Sequence, residues 1–344
     1  MTRVLRFGLI GYGAWGRHHA AAIASAPGAA LVAIACHTEA TASAARREFP
    51  DVAVHLDYRD LLRRPDVDAV AIALPNHLHA EVGVAALEQG KDVLLEKPMA
   101  RTPGECDQLI AAARRTGRVL SIGHELRLSA QWGRIKAMID TGDIGTPRYA
   151  LFALFRFAYR RGAGGWRYDR ARVGSWILEE PVHAFDLLLW YFDQVGDPVS
   201  VSATGSGAPR EEALSDDFTA VVRFPGDRHA VITQTLAAFE YHQVMEVVGD
   251  DGAVRGWWSG ALDRELEPRF ELRARRRGAS APEIVPVTRS GEVFELGEQI
   301  ARTATAFAAR RALVTGEEAR KRVLMCVEAE RSMREGREIP LRFG

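Results

Sequence analysis

Two stretches of this chain carry residue types and spacings that could do chemistry. Glu96-Lys97-Pro98 closes the apolar run Val93-Leu94-Leu95, which sets a carboxylate, an ammonium and a rigid bend at the carboxyl end of an expected buried strand. Open α/β sheets present residues to ligands at that end, and an ammonium there could stabilise an oxygen on which negative charge develops. Glu179-Glu180-Pro181-Val182-His183-Ala184-Phe185-Asp186 runs into an apolar helix-like segment. Proline is tolerated in a first helical turn, so a helix is predicted to begin near Glu180. His183 and Asp186 then share one face, and Glu179 lies one turn before the histidine. A carboxylate bonded to an imidazole fixes its tautomer and raises its basicity, as a proton acceptor near neutral pH requires. The competing reading is structural, with acidic residues favoured at a helix start and a histidine packed in the core. A Glu-His-Asp metal site is a third reading, but neither HExxH nor a second histidine ligand accompanies it, so no metal is expected.

A cofactor signal precedes both. Gly11-Tyr12-Gly13-Ala14-Trp15-Gly16 matches GxGxxG between a strand pattern and a helical pattern that begins near Arg17. In such a turn the glycines serve the tight bend, the approach of backbone to a pyrophosphate, and helix-on-strand packing, with the helix amino end facing the phosphates. Lys97 and Glu96 are cofactor candidates by their place in the same sheet. At the end of the second strand, where an acid would bond the adenosine ribose of NAD, the chain reads Ala35-Cys36-His37-Thr38. Loss of the acid removes repulsion toward a 2′-phosphate, yet no arginine sits at the turn, so Cys36 and His37 leave NAD and NADP both open. Pro75-Asn76-His77-Leu78-His79 ends another strand and starts a helix, with Pro75, Asn76 and His79 expected beside the cofactor.

The elements that must position these groups fall into two patterns. Val4 to Ile10, Leu31 to Ala35, Ala69 to Leu74, Val93 to Leu95 and Val119 to Ile122 read as strands. Between the later ones, Glu39 to Phe49, His79 to Gly90 and Pro103 to Thr116 read as helices, the alternation of a parallel sheet covered on both faces. After about Gly123 a helix over Ser129 to Thr141 and an aromatic segment over Phe152 to Tyr168 lead into five or six alternating strands, then two helices over about Leu296 to Leu313 and Gly316 to Gly336. The fold class is therefore α/β: a doubly wound domain over 1–123, then an α/β domain over 124–344 with a large, mostly antiparallel sheet.

With 344 residues the chain can bury two cores, and its 45 basic and 45 acidic residues cancel. No global field attracts nucleic acid or an anionic membrane, so small molecules are the expected partners. Cys36, Cys106 and Cys326 are few, far apart and outside any CxxC, which fits a reducing cytoplasm. The start of the chain reads as a strand rather than a signal peptide, and no apolar run approaches the roughly 20 residues of a membrane span. Arg273, Arg275, Arg276 and Arg277 form one dense basic run, expected as a solvated sheet edge.

Taken together, these motifs resemble the Gfo/Idh/MocA family, the relatives of glucose-fructose oxidoreductase and inositol dehydrogenase. The glycine turn, Pro75 to His79, Glu96-Lys97-Pro98 and the Glu179 to Asp186 block stand in that family's order, and Gly249-Asp250-Asp251-Gly252-Ala253 looks like its sheet turn. The resemblance implies a Rossmann domain, and a second domain whose open sheet makes homodimer or homotetramer contacts. It also implies hydride transfer between a nicotinamide and a secondary alcohol of a sugar, polyol or related metabolite. By the same resemblance Lys97 contacts the nicotinamide ribose and the reacting oxygen, His183 is the catalytic histidine, and Glu179 stands where some members carry Asp. Arg127, Trp166 and Arg167 are further candidates for substrate or cofactor contacts, the two arginines being equally readable as ion-pair partners. The chain departs from the pattern at Cys36, at Glu125, and at Glu179-Glu180-Pro181, whose acidity suggests a cationic or amino-bearing substrate. Three rival functions share these residues: a dinucleotide-sensing regulator without chemistry, an enzyme shuttling hydride between two sugars on tightly held NADP, and a metal-dependent hydrolase or lyase.

Overall fold

The computed structural model describes residues 4–206 and 217–343; Met1-Thr2-Arg3, 207–216 and Gly344 lie outside the described residues. The chain forms two compact units. One runs to Glu125 and takes in Leu296–Val323, and the other covers Leu126–Glu295 and resumes at Leu324. The stretch 296–323, which the sequence reading assigned to the second domain, thus packs with the first.

The first unit alternates β1 (Leu5–Ile10), α1 (Ala14–Ser25), β2 (Ala29–Ala35), α2 (Glu39–Glu48), β3 (Ala53–His55), α3 (Tyr58–Leu62), β4 (Ala69–Ile72), α4 (His79–Glu88), β5 (Asp92–Glu96), α5 (Pro103–Thr116) and β6 (Leu120–Gly123). All neighbouring strands are parallel, in the order β3-β2-β1-β4-β5-β6. The order of winding therefore reverses between β1 and β4, where such sheets open a crevice at their carboxyl ends. Local chemistry sets the helix limits. Thr102 accepts the Glu105 N–H ahead of Pro103, and Gly117 closes α5 at φ 63°, a left-handed position that a glycine adopts without strain. The expectation missed β3 and α3, which are too short to show a period.

The second unit holds α6 (Trp132–Asp140), β7 (Pro147–Phe157), the short helices α7 (Arg170–Val173) and α8 (Trp176–Glu179), then α9 (Pro181–Tyr191). Next come β8 (Ser200–Ser206), β9 (Asp217–Phe224), β10 (Arg228–Thr235), β11 (Ala237–Gly249), β12 (Gly252–Gly260), β13 (Arg269–Arg276) and β14 (Glu283–Ile284). The helices α10 (Glu292–Ala308), most of which belongs to the first unit, and α11 (Gly316–Glu335), divided between the two, follow, and β15 (Ile339–Pro340) is the last element among the described residues. Nine strands form one sheet in the order β14-β13-β12-β11-β7-β10-β9-β8-β15, antiparallel except for the β7–β10 pair. The sequence reading, which expected five or six strands, missed β7 because its apolar residues occupy both faces. Phe152 and Leu154 are buried while Phe155 and Phe157 stand 40% and 46% exposed on the opposite face, so the period of two is hidden. The arginine run spans the end of β13 and the turn after it, where Arg273, Arg276 and Arg277 are exposed and paired with Glu271, Asp143 and Asp251.

Candidate active site

In the first unit the glycine turn joins β1 to α1. Gly11 holds φ 101°, and a Cβ there would stand 2.3 Å from the Ala73 carbonyl oxygen; at Gly16 it would meet the Gly11 carbonyl oxygen at 1.9 Å. Both positions are closed by the protein's own backbone. Gly13, the N-cap of α1, is different: a Cβ there finds no protein atom within 4 Å. Gly13 is exposed, and its neighbours are the N–H groups of a helix start, which suits this turn to a phosphate. The first turn of α1 carries no acidic residue. The cradle therefore fits a dinucleotide.

The other cofactor candidates divide between surface and core. Gly13, Ala14 and His37 are exposed, Trp15 is half-buried, and Tyr12 is buried with its hydroxyl 2.5 Å from Glu48 of α2. Cys36 lies in the core, where burial pushes its thiol up despite a hydrogen bond with Thr41. Pro75 and the buried Asn76 open the turn that leads into α4. His79, the third residue of this turn expected beside the cofactor, opens α4. Its fully buried ring sits with Nδ1 2.7 Å from the Pro98 carbonyl and Nε2 2.8 Å from the Leu74 carbonyl, so both nitrogens face the protein's own backbone and the ring clamps two loops.

Pro98 follows Lys97 through a cis peptide, and Glu96 precedes it. His19 of α1 places Nε2 2.6 Å from Glu96 Oε1, and the Lys97 N–H donates to Glu96 Oε2 at 3.2 Å. Burial alone would raise the Glu96 carboxyl, but the His19 hydrogen bond and the charges of His19 and Lys97 hold it well below the usual carboxylate range. Lys97 is thus a half-buried lysine just past the carboxyl end of β5, between Glu96, which His19 holds, and Pro98, whose carbonyl His79 holds. The sequence reading missed His19; its place one helical turn after Trp15 was the available signal.

In the second unit, Glu179 ends α8 and Pro181 starts α9, with Glu180 between them as N-cap. His183 is buried and its N–H donates to the Glu180 carbonyl at 3.0 Å. Glu179 accepts from Arg167 Nε at 2.5 Å, and Arg167 stacks over Trp166, its guanidinium carbon 4.8 Å from the ring centre. Trp166 is itself packed with Tyr159, Val173, Trp176 and Leu236. Arg127 makes a bidentate pair with Asp186, at 2.8 and 2.6 Å, both side chains almost fully enclosed. Of the proposed substrate contacts, then, both arginines are committed to carboxylates of their own unit. Glu180 also has partners in Arg156 and Tyr241, so its carboxylate is not free for an amino-bearing substrate. Arg156, a lone cation inside the apolar run of β7, was the missed signal for that pairing. Glu125 is buried at the start of a short turn. Among the described residues no group of three or more His, Cys, Asp or Glu is arranged to hold a metal ion.

Comparison with known proteins agrees with this division. Residues 5–124 match the family described as oxidoreductases with an NAD-binding Rossmann fold, and 132–255 match the GFO/IDH/MocA C-terminal domain. Inositol 2-dehydrogenase of Acidothermus cellulolyticus is 31% identical over 255 residues, spanning 73% of this chain and 72% of that protein. A 1,5-anhydro-D-fructose reductase of Ensifer adhaerens is 34% identical over 203 residues, 57% of this chain and 59% of the relative. Among solved structures, aldose-aldose oxidoreductase from Caulobacter crescentus, complexed with glycerol, shares the fold with a TM-score of 0.84 at 22% identity, over 98% of this chain and all of that one.

Proposed function

The chain belongs to the Gfo/Idh/MocA family of oxidoreductases, and from that premise we propose that it moves hydride between a nicotinamide dinucleotide and a secondary alcohol carbon of a sugar or polyol, with Lys97 and His183 handling charge and proton. The observation that carries the reading is the cradle at Gly11, Gly13 and Gly16, closed by protein at two glycines and open at the third, in the same sheet whose β5 leads into Lys97. When bound there, the nicotinamide supplies the hydride acceptor or donor. An imidazole nitrogen of His183 takes the substrate hydroxyl proton, and the Lys97 ammonium stabilises the alkoxide that develops. Glu179, paired with Arg167, stands one turn ahead of His183 and belongs to the same proposed site. In the second unit Arg127, Arg167 and Glu180 are each paired with an opposite charge. That supports a neutral polyhydroxylated substrate over an amino-bearing one.

Assembly through the open face of the nine-stranded sheet belongs to the same reading. Phe155, His242 and Trp257 form a row across β7, β11 and β12, flanked by the exposed Phe157, an apolar surface suited to a second copy of the chain. The three cysteines are free and buried, which supports a reducing cytoplasmic setting. The deciding experiment is a panel of polyols, sugars and keto-sugars followed by nicotinamide absorbance, with NAD and NADP supplied separately, on wild type and Lys97→Ala. The expected outcome is turnover with at least one substrate and a loss of roughly 10²-fold or more in Lys97→Ala with dinucleotide binding kept. Silence across the panel would favour the regulator, activity only with paired sugars would favour the shuttle, and normal turnover in Lys97→Ala would overturn the proposed role of the lysine.

A further inference from the structure

Glu180 occupies the N-cap of α9 yet does no capping: its side chain makes no hydrogen bond to the helix's first N–H groups. Ser, Thr, Asp or Asn would serve a cap better, so the choice of glutamate answers another demand. Its carboxylate reaches to the sheet, where Oε2 accepts from Arg156 Nη1 at 2.8 Å on β7 and Oε1 accepts from the Tyr241 hydroxyl at 2.9 Å on β11. These are neighbouring strands. Tyr241 in turn accepts from Gln243 Nε2 at 2.9 Å, which leaves its proton directed outward to a carboxylate. Arg156 also donates through Nε to the Phe157 carbonyl, and it lies over the rings of Tyr159 and Tyr241 with its guanidinium carbon 4.3 and 5.3 Å from their centres. The side chains of Arg156 and Glu180 are only 8% and 10% exposed. On its other side the Glu180 carbonyl receives the His183 N–H. One residue therefore bolts the first turn of the helix to two strands and hands the imidazole's backbone its place.

A buried ion pair is a poor device for stability, since apolar residues of similar volume often do as well. Its advantage is geometric, because a paired carboxylate with both oxygens engaged restricts the arrangement of its two partners. We propose that Glu180, held by Arg156 and Tyr241, is a positioning residue that sets His183 for proton transfer. This rests on the reading of His183 as proton acceptor, and it goes beyond that reading in assigning the role to a network that touches neither dinucleotide nor reacting atoms.

The test compares Glu180→Ala, Glu180→Gln and the double variant Arg156→Met with Glu180→Met against wild type and His183→Ala. For each, kcat, both KM values, the pH profile of kcat and thermal stability are measured on the full chain. Misplacement of a reacting group by about 1 Å costs on the order of 10²-fold. The expected results are a kcat lowered roughly 30-fold or more in Glu180→Ala with dinucleotide KM unchanged, and recovery to within about 5-fold in Glu180→Gln, which keeps the shape and an acceptor. The double variant, with the pair replaced by apolar side chains, should melt close to wild type while kcat stays low; it also decides the matter if Glu180→Ala fails to fold. A folded Glu180→Ala or double variant with wild-type kcat and an unshifted pH limb, while His183→Ala loses that limb, would overturn the positioning role alone. A pH limb that survives in His183→Ala would overturn the proton-acceptor reading, and this proposal with it.

Discussion

Gly13→Ala and Gly16→Ala differ by three positions in sequence and should differ in kind. At Gly13 the backbone is extended, with φ −81° and ψ −163°, which alanine adopts freely, and the added methyl meets no protein atom within 4 Å. Alanine is a worse N-cap than glycine by about 0.5 kcal/mol, while it restricts the unfolded chain by a comparable 0.4–1 kcal/mol or so. Stability should therefore stay within roughly 0.5 kcal/mol, or about 2 °C in melting temperature. Dinucleotide affinity should fall by about 10²-fold or more, some 2.7 kcal/mol, because the methyl stands where a pyrophosphate must approach. At Gly16 the methyl would lie 1.9 Å from the Gly11 carbonyl oxygen, a clash with backbone that only a shift of the turn can relieve. Overpacking of that sort costs about 1–3 kcal/mol, so melting should drop by roughly 3–10 °C. Calorimetric titration with NADH and NADPH, beside thermal melts of each apo protein, separates the two effects. A Gly13→Ala protein that binds either dinucleotide as wild type does, or a Gly16→Ala protein that melts unchanged, would refute the assignment of the open and closed glycines.

Three further outcomes are expected. Because the folded Glu96 carboxyl is held low by His19 and Lys97, its stabilising contribution is complete above the ordinary carboxylate pKa of about 4.3 and is lost as pH falls below it. Glu96→Gln should thus melt lower than wild type at neutral pH, and the gap should narrow as pH falls from roughly 5 toward the folded value of about 2; a constant gap in calorimetric melts would contradict it. Arg127→Met leaves Asp186 buried without its bidentate partner and should cost about 3–5 kcal/mol, seen as lost stability in denaturant titrations, whereas a pure substrate contact would raise KM with stability intact. Phe157→Glu, on the open sheet face, should shift light scattering toward monomer; an unchanged mass would exclude that face as the contact between copies.

Much of the first unit could be read in advance because its signals are local. Gly11, Gly13 and Gly16 are demanded by a turn, and Pro103 to Thr116 carries its own start and stop, so α5 appears with the limits the sequence suggests. What escaped depends on distant partners. His19 and Glu96 are 77 residues apart and meet only in the folded unit, and nothing near His79 announces that its ring spans two carbonyls. In the second unit Arg156 and Glu180 are separated by 24 residues and belong to different elements, so the acidic tripeptide looked available for a substrate when its charge was already spoken for. Arg127 and Arg167 were recognised as either contacts or ion-pair partners, and only the geometry could choose between those roles.

The division of the chain bears on the order in which it can fold during synthesis. Leu296, Ile300, Ala304 and Phe307 belong to the same core as Phe7, Leu9 and Ile34, and β15 pairs with β8 through Ile339 and Val201. Domains made at the amino end usually complete themselves while the remainder is still being translated. Here neither unit can: the first lacks one wall of its core until Phe307 has emerged, and the second waits for the strand at Ile339. A ribosome carrying this chain holds the first unit unfinished until Phe307 has emerged, and a fragment cut after Glu125 would bare an apolar face that its own residues cannot cover.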